Sequence, residues 1–428
     1  MATTSMYPRP EAENTQPLPA GLRCRLCNSA LSETFVDLGS TPLCESFLSH
    51  EDLAKGEPFY PLCTYVCSRC FLVQVPEIVS PQEIFSHYAY FSSYSDTWLE
   101  HARQYVTEMV EQLELDGNSL VMEIASNDGY LLQYFGAYGV PVLGIEPAAN
   151  VAETAKRKGI PTLVTFFGER TARELAASGK QADLLLGNNV LAHVPDLNGF
   201  IEGMKLVLKP RGTITMEFPH LMRLVDGCQF DTIYHEHFSY LSLTSVQTAF
   251  ASHGLKVFDV EELPTHGGSL RIFVGHSEDH SKDETERLAD LRAREEEAGI
   301  RSRAYYAGFA AKVKETKRKL LECLIEIKRS GRTIAAYGAA GKGNTLLNYC
   351  GIRSDFVDYV VDRSLFKHGK YLPGTRIPIF PPDRIRETKP DYVLILPWNL
   401  QREITEQLAY IREWGGRFIV PIPSPQIS

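Results

Sequence analysis

The chain has 428 residues, 44% hydrophobic and 23% charged, with a formal net charge of -9. That length predicts two or three domains, each able to bury a core, and the acidic balance argues against a duplex DNA or long RNA partner, whose affinity rests on Lys and Arg at phosphates. No apolar run is long enough to cross a bilayer. The first twenty residues, MATTSMYPRPEAENTQPLPA, carry neither a basic n-region nor an apolar h-region, so 1–20 is expected to be a disordered lead on a cytoplasmic protein.

Nine cysteines in an intracellular chain read as metal ligands or buried thiols rather than disulfides. Four form two knuckles, CRLC (Cys24, Cys27) and CSRC (Cys67, Cys70), which together supply four thiolates to one tetrahedral zinc. A site closed by four thiolates keeps no open position, so the expected role is folding. Cys44 and Cys63 lie outside the knuckles and read as core or surface thiols. This segment, 21–80, is the expected zinc-binding domain.

From 81 to 276 strands and helices alternate. An aromatic-rich loop and a helix lead into NSLVMEIASNDGYLLQYF, which reads as strand, polar turn and helix. VPVLGIEPAANVAETAKRKGI repeats the pattern, as do ADLLLGNNVLAHVPDLNGFIEGMKLVLKPRG and the strand TITMEFP. Such alternation predicts an α/β fold with a doubly wound parallel sheet, whose ligands lie at the carboxyl ends of its strands. Residues 277–330 are dense in charge at helical spacing and read as a helical connector with solvated faces. The strand pattern restarts in 331–428, giving a second, smaller α/β domain.

The turn Asn127-Asp128-Gly129 after the first strand, with Glu123 inside that strand, frees backbone N–H groups at a helix start. Glu146, at the tip of the second strand, is placed to accept ribose hydroxyls. The full G-x-G-x-x-G of a pyrophosphate site is missing, so a nucleoside without phosphates fits better, and S-adenosylmethionine is the candidate. Asn188 and Asn189 end the fourth strand and join the expected cofactor residues.

In TIYHEHFSYLS, His235, Glu236 and His237 stand side by side. The spacing leaves zinc ligation, acid/base work and a solvated turn open, although a zincin needs H-E-x-x-H to set both imidazoles on one helical face. In YGAAGKGNTLLN, glycines follow a strand and open a helix, a placement that can cradle phosphates, with Lys342 and Asn344 as contacts. Lys342 is followed by Gly, so this is not a Walker A loop. His266, before two glycines, is a turn histidine or a substrate contact.

The zinc knuckles, SNDGYLL, GIEP, NNVLAHV, IYHEHFSYLS, PTHGGSLR and YGAAGKGNTLLNY stand in an order that resembles the sugar C-methyltransferases acting on nucleotide-linked 4-keto-deoxysugars. The resemblance runs from about Cys24 to the C-terminus. It implies a class I, Rossmann-like S-adenosylmethionine domain at 81–276, a Rossmann-like nucleotide-sugar domain at 331–428, structural zinc, and methylation of carbon 3 beside the ketone. It further implies His237 as general base, with Glu236 and Tyr234 around it, and Tyr90 and His193 as active-site residues that donate to the enolate oxygen or move the proton. The expected partner is a nucleotide-diphosphate sugar, with neither nucleic acid nor membrane, and the sequence leaves the oligomeric state open. The competing readings are an O- or N-methyltransferase on another small metabolite and a non-catalytic zinc-ribbon scaffold.

Overall fold

The computed structural model describes residues 21–80, 83, 92–94 and 96–428, so the lead 1–20 and Tyr90 lie outside the described residues. Three sheets organise the chain. The central one has seven strands, in the order Leu255–Leu263, Ser269–His276, Leu208–Pro219, Ala182–Asn188, Val121–Ile124, Val142–Ile145, Thr162–Leu163. Val121–Ile124 is wholly buried, as a strand covered on both faces must be, and its near-continuous apolar run follows from that.

The sheet departs from the expected all-parallel form at one strand. Ser269–His276 runs antiparallel to both neighbours. The connection from Leu263 to Ser269 is too short for a crossover helix, so the chain reverses in a hairpin. That reversal is made by His266, Gly267 and Gly268, all with positive φ. A β-carbon on Gly267 would meet the Trp398 ring at 2.5 Å, so both conformation and close packing require glycine there.

The C-terminal sheet runs Ile379–Phe380, Tyr359–Val361, Ile334–Tyr337, Tyr392–Ile395, Arg417–Val420, Gln426–Ile427, parallel except for the last pair. In both large sheets the first strand lies between the second and a later one. The carboxyl end of that strand is therefore a crevice where the helical connections diverge.

The N-terminal sheet is antiparallel, and its fourth strand comes from far along the chain. Glu33–Thr41, Tyr60–Val66 and Val73–Gln74 are completed by Ser239–Tyr240. The cores cross the expected boundaries as well. Cys24, Leu26, Cys67 and Leu72 pack in one core with Leu191, Leu197 and Phe200 of the central region. Phe35, Val36 and Leu62 share another with Ile334, Leu346 and Leu394 of the C-terminal sheet.

Nor is the connector simply a solvated face. Leu288 and Leu291 enter the first core, while Phe309, Val313, Leu320 and Leu324 enter the second. Glu295, within the charge run, is fully buried. It accepts the amides of Leu243 and Thr244 at the start of the helix Leu243–Ala251 and pairs with His220 at 2.8 Å. No helix among the described residues is long and apolar enough to cross a membrane.

Candidate active site

The Sγ atoms of Cys24, Cys27, Cys67 and Cys70 all lie within 4.8 Å of one another. Tetrahedral zinc with Zn–S bonds near ~2.3 Å needs sulfurs about 3.8 Å apart, and the 3.5 Å Cys24–Cys70 and Cys27–Cys67 separations fit that demand. The donor set therefore suits a structural zinc.

Far larger than this centre is a cavity of about 1300 Å³ lined by residues of the central and C-terminal sheets and by Cys44 and Glu45 of the N-terminal segment. Its first end lies at the carboxyl edge of the central sheet. Glu146 is buried there and accepts the amides of Asn127 and Ala148 at 2.9 and 2.8 Å. Burial raises its carboxyl above the ordinary range. Asn127, Asn188 and Asn189 also line the cavity; Glu123, Asp128 and Gly129 do not.

Glu123 sits behind the wall with burial, then Glu146 and Asp128, pushing its carboxyl well up. Asp128 pairs with Lys158 at 3.2 Å. Gly129 is confined by Ile160, whose Cδ1 would lie 2.4 Å from a β-carbon. Among the described residues, Glu123 Oε2, Asp128 Oδ1 and Asn189 Oδ1 are buried without a hydrogen-bond partner. A buried corner rich in acceptors fits the hydroxyls of S-adenosylmethionine. Ala125, Asn127, Asn189 and His266 all have left-handed φ and all line the cavity. Such strained backbone is held where a site over-determines it.

Midway lie Tyr234, Glu236, His237 and His193. His237 Nδ1–H donates to the Thr232 carbonyl at 3.0 Å, which makes Nε2 an acceptor, and the Tyr234 hydroxyl bonds to it at 2.8 Å. Burial, then the His193 ring, hold His237 well below its ordinary value, so it is neutral near neutral pH. His193 stacks edge-on against it at 4.7 Å and donates Nδ1–H to the Glu236 carbonyl. Burial pushes His193 down to about 4, so the neutral ring presents an acceptor at Nε2. In this tautomer it cannot donate to an enolate oxygen.

Glu236 does not orient His237; Thr232 does. The Glu236 side chain instead receives the Cys44 S–H at 3.2 Å, and burial followed by the Glu45 charge push its carboxyl up. His235 turns away from the cavity and bonds to the Pro61 carbonyl at 3.1 Å. His266 bonds to Asn189 at 3.1 Å and meets the Trp98 ring edge-on.

The far end belongs to the C-terminal sheet. Gly338 to Gly341 turn from the strand Ile334–Tyr337 into the helix Gly341–Cys350. Asp362 ends the neighbouring strand and accepts the amides of Ala339 and Ser364 at 2.7 and 2.8 Å. Lys342 lines this end, bonds to Asn399 at 2.7 Å and lies 4.9 Å from the Trp398 ring centre. Its charge helps depress both His237 and His266, so it faces the same chamber. Asn344 lies outside the lining and donates to the Cys44 carbonyl, tying the N-terminal segment to this helix.

The sequence reads Cys44 as a core or surface thiol and gives no role to Glu45, Asp362 or Lys367, yet all four line the cavity. Asp362 repeats the signal that Glu146 carries, an acid at the tip of a second strand. Cys44 and Glu45 carry no local signal, because only the fold brings them to Glu236.

Comparison with known proteins sets three family profiles along the chain: a zinc binding domain over 24–85, a methyltransferase domain over 98–260, and a C-methyltransferase C-terminal domain over 264–423. The C-methyltransferase NovU of Streptomyces niveus is 38% identical over 405 residues, covering 94% of this chain and 96% of its own. A ubiquinone biosynthesis O-methyltransferase of Chelativorans is 26% identical over 146 residues, 32% of this chain and 58% of its own. A solved magnesium protoporphyrin IX methyltransferase from Synechocystis is 16% identical, covers 47% of this chain and all of its own, and has a TM-score of 0.35.

Proposed function

The chain belongs to the S-adenosylmethionine-dependent C-methyltransferase family that also carries a zinc-binding segment, and from that premise we propose that it methylates carbon 3 of a nucleotide-linked 4-keto-deoxysugar in branched deoxysugar biosynthesis. One observation carries this reading. A single cavity joins the acceptor-rich corner at Glu146, the Tyr234–His237 pair, and the corner at Asp362 and Lys342. A sugar ring can then reach base and methyl donor while its nucleotide extends toward the C-terminal sheet.

Bound S-adenosylmethionine supplies an electrophilic methyl group on a sulfonium, and Glu146, Asn127, Asn188 and Asn189 are the residues that would hold it. The Tyr234–His237 pair removes the proton beside the ketone. Tyr234 oxygen takes it from carbon as its own proton passes to His237 Nε2, and the imidazole ends protonated between Tyr234 and the Thr232 carbonyl. A neutral, buried imidazole with a fixed tautomer suits that task, because its lone pair stays available near neutral pH.

The negative charge left on the enolate oxygen needs preorganised donors. Lys342 brings positive charge to the chamber, and a protonated Glu236 is a neutral hydrogen-bond donor to the sugar. The Gly338–Gly341 turn, the helix start behind it and Lys342 favour the substrate's diphosphate. Asp362 is placed for the hydroxyls of its nucleoside.

The test is incubation with a nucleotide-linked 4-keto-6-deoxysugar in deuterated water. Hydrogen exchange at carbon 3 is expected without cofactor, and a product heavier by one methyl group, carried on carbon, when S-adenosylmethionine is added. Methylation on oxygen with no exchange at carbon 3 overturns the reading.

A further inference from the structure

One of the two residues between the first two cysteines reaches further than a zinc knuckle requires. Arg25 sits in CRLC, yet its guanidinium donates to the Val75 carbonyl and, at 3.3 Å, to the Pro195 carbonyl. It also lies 5.4 Å from the Phe238 ring centre. Its backbone is held on both sides: its N–H donates to Gln74 Oε1 at 3.0 Å, and its carbonyl accepts Asn198 Nδ2 at 3.0 Å.

Those partners are the stems of the two active-site loops. Pro195 and Asn198 follow His193, and Phe238 follows His237. The loops are joined to each other where Phe238 N–H donates to the Ala192 carbonyl at 2.8 Å. They are joined to the N-terminal sheet where Val75 N–H donates to the Phe238 carbonyl and Val73–Gln74 pairs with Ser239–Tyr240. Gln74 completes the link to the metal site, because its Nε2–H donates to Cys24 Sγ at 3.2 Å.

We propose that Arg25 is a positioning residue that couples the four-cysteine centre to both active-site loops, holding His193, Glu236 and His237 against the sugar chamber. One physical fact supports the choice of arginine. Its planar fork donates to two carbonyls at once while its face lies on an aromatic ring, which a lysine cannot reproduce. Metal ligation thus serves a second purpose here, since holding Cys24 and Cys27 fixes the base of Arg25. The inference rests on the assignment of His237 and its neighbours to proton removal.

The experiment uses the full chain and the variants Arg25→Ala and Arg25→Lys, with His237→Asn as control. Metal content and the visible spectrum of the cobalt-substituted protein report the centre. Calorimetry with S-adenosylmethionine reports the cofactor corner, amide deuterium uptake reports 190–196 and 232–242, and hydrogen exchange at carbon 3 of the keto sugar reports chemistry. For Arg25→Ala we expect an unchanged cobalt spectrum and cofactor affinity, faster amide exchange in both loops, and carbon-3 exchange slowed about 10²-fold, the scale of an ångström-sized misplacement.

KM for the nucleotide sugar should stay nearly constant, and Arg25→Lys should fall between wild type and alanine. Should the alanine variant fail to fold, the lysine variant carries the same comparison. Unchanged carbon-3 exchange in a metal-replete variant overturns the proposal. So does an altered cobalt spectrum, which makes Arg25 part of the centre, or a parallel fall in cofactor affinity, which makes it general packing. If His237→Asn exchanges carbon 3 as fast as wild type, the functional reading fails first and is identified as such.

Discussion

The corner after Val121–Ile124 and the corner after Ile334–Tyr337 use the same backbone device. In each, an acid at the tip of the neighbouring strand accepts one amide from the turn and a second from the residue two positions beyond itself: Asn127 and Ala148 on Glu146, Ala339 and Ser364 on Asp362. What differs is the charge around them. Among the described residues no Lys or Arg lines the first corner, whereas Lys342, Arg363 and Lys367 line the cavity near the second, the latter two paired with Glu403 and Glu45, and the helix Gly341–Cys350 also begins there. A helix start is equivalent to about +0.5 of a charge. One scaffold is thus biased toward a cationic nucleoside at one end and an anionic nucleotide at the other.

The chamber between the corners provides the strongest challenge to this division. If the two ends only bind, His237→Asn should lower carbon-3 exchange by roughly 10²- to 10⁴-fold, while calorimetry finds both ligands bound as before. Loss of cofactor affinity instead would move His237 into the first corner. A smaller and more direct comparison pairs Glu146→Gln with Asp362→Asn. Each removes a charged acceptor, an effect of about 1.5–3 kcal/mol or ten- to a hundredfold in affinity. Glu146→Gln should weaken S-adenosylmethionine alone and Asp362→Asn the nucleotide sugar alone; crossed effects would erase the distinction.

Much of this was legible in the sequence wherever the signal was local. Two C-x-x-C knuckles announce a tetrahedral site, and an acid after a short apolar strand announces Glu146. The glycines of YGAAGKGN were visible too, but part of their reason was not. A β-carbon on Gly341 would meet Cys44 Sγ at 3.0 Å and one on Gly343 would meet Leu396 Cβ at 2.9 Å, so packing as well as ligand approach requires them. Asn344, read from sequence as a phosphate contact, spends its amide on the Cys44 carbonyl. Cys44 stands 192 residues from Glu236 in sequence, and no periodicity carries information over that separation. Glu295 was hidden for the opposite reason, because a charge run on a helix looks solvated until the capped helix above it is placed.

Lys342 sharpens the anionic side of the comparison. Burial lowers its ammonium below the ordinary lysine value, while Asp231 opposes that shift. If its charge serves the diphosphate, Lys342→Met should raise KM for the nucleotide sugar about tenfold, equivalent to about 1.4 kcal/mol, and leave kcat nearly unchanged. A fall in kcat at constant KM would place the ammonium at the enolate oxygen instead, and steady-state kinetics with the sugar nucleotide varied distinguish the two.

The smallest effect concerns stability, at the point where the N-terminal segment meets the chamber. Glu236 is buried beside Glu45, and the folded state raises its carboxyl above the unfolded value, burial being the larger cause. The folded chain therefore holds a proton there that the unfolded chain releases from the ordinary carboxylate range upward. By linkage, the contribution to stability is full below that range and is lost progressively as pH rises toward the folded-state value. Glutamine keeps the shape and the acceptor for the Cys44 thiol but cannot ionise. Glu236→Gln should therefore melt near the wild-type temperature in mild acid and above it, by about 2 °C or more, in mildly alkaline buffer. A constant offset between the two melting curves across pH would show that Glu236 stays ionised in the folded chain, held so by Lys367, and the chamber would then present a carboxylate to the sugar rather than a neutral acid.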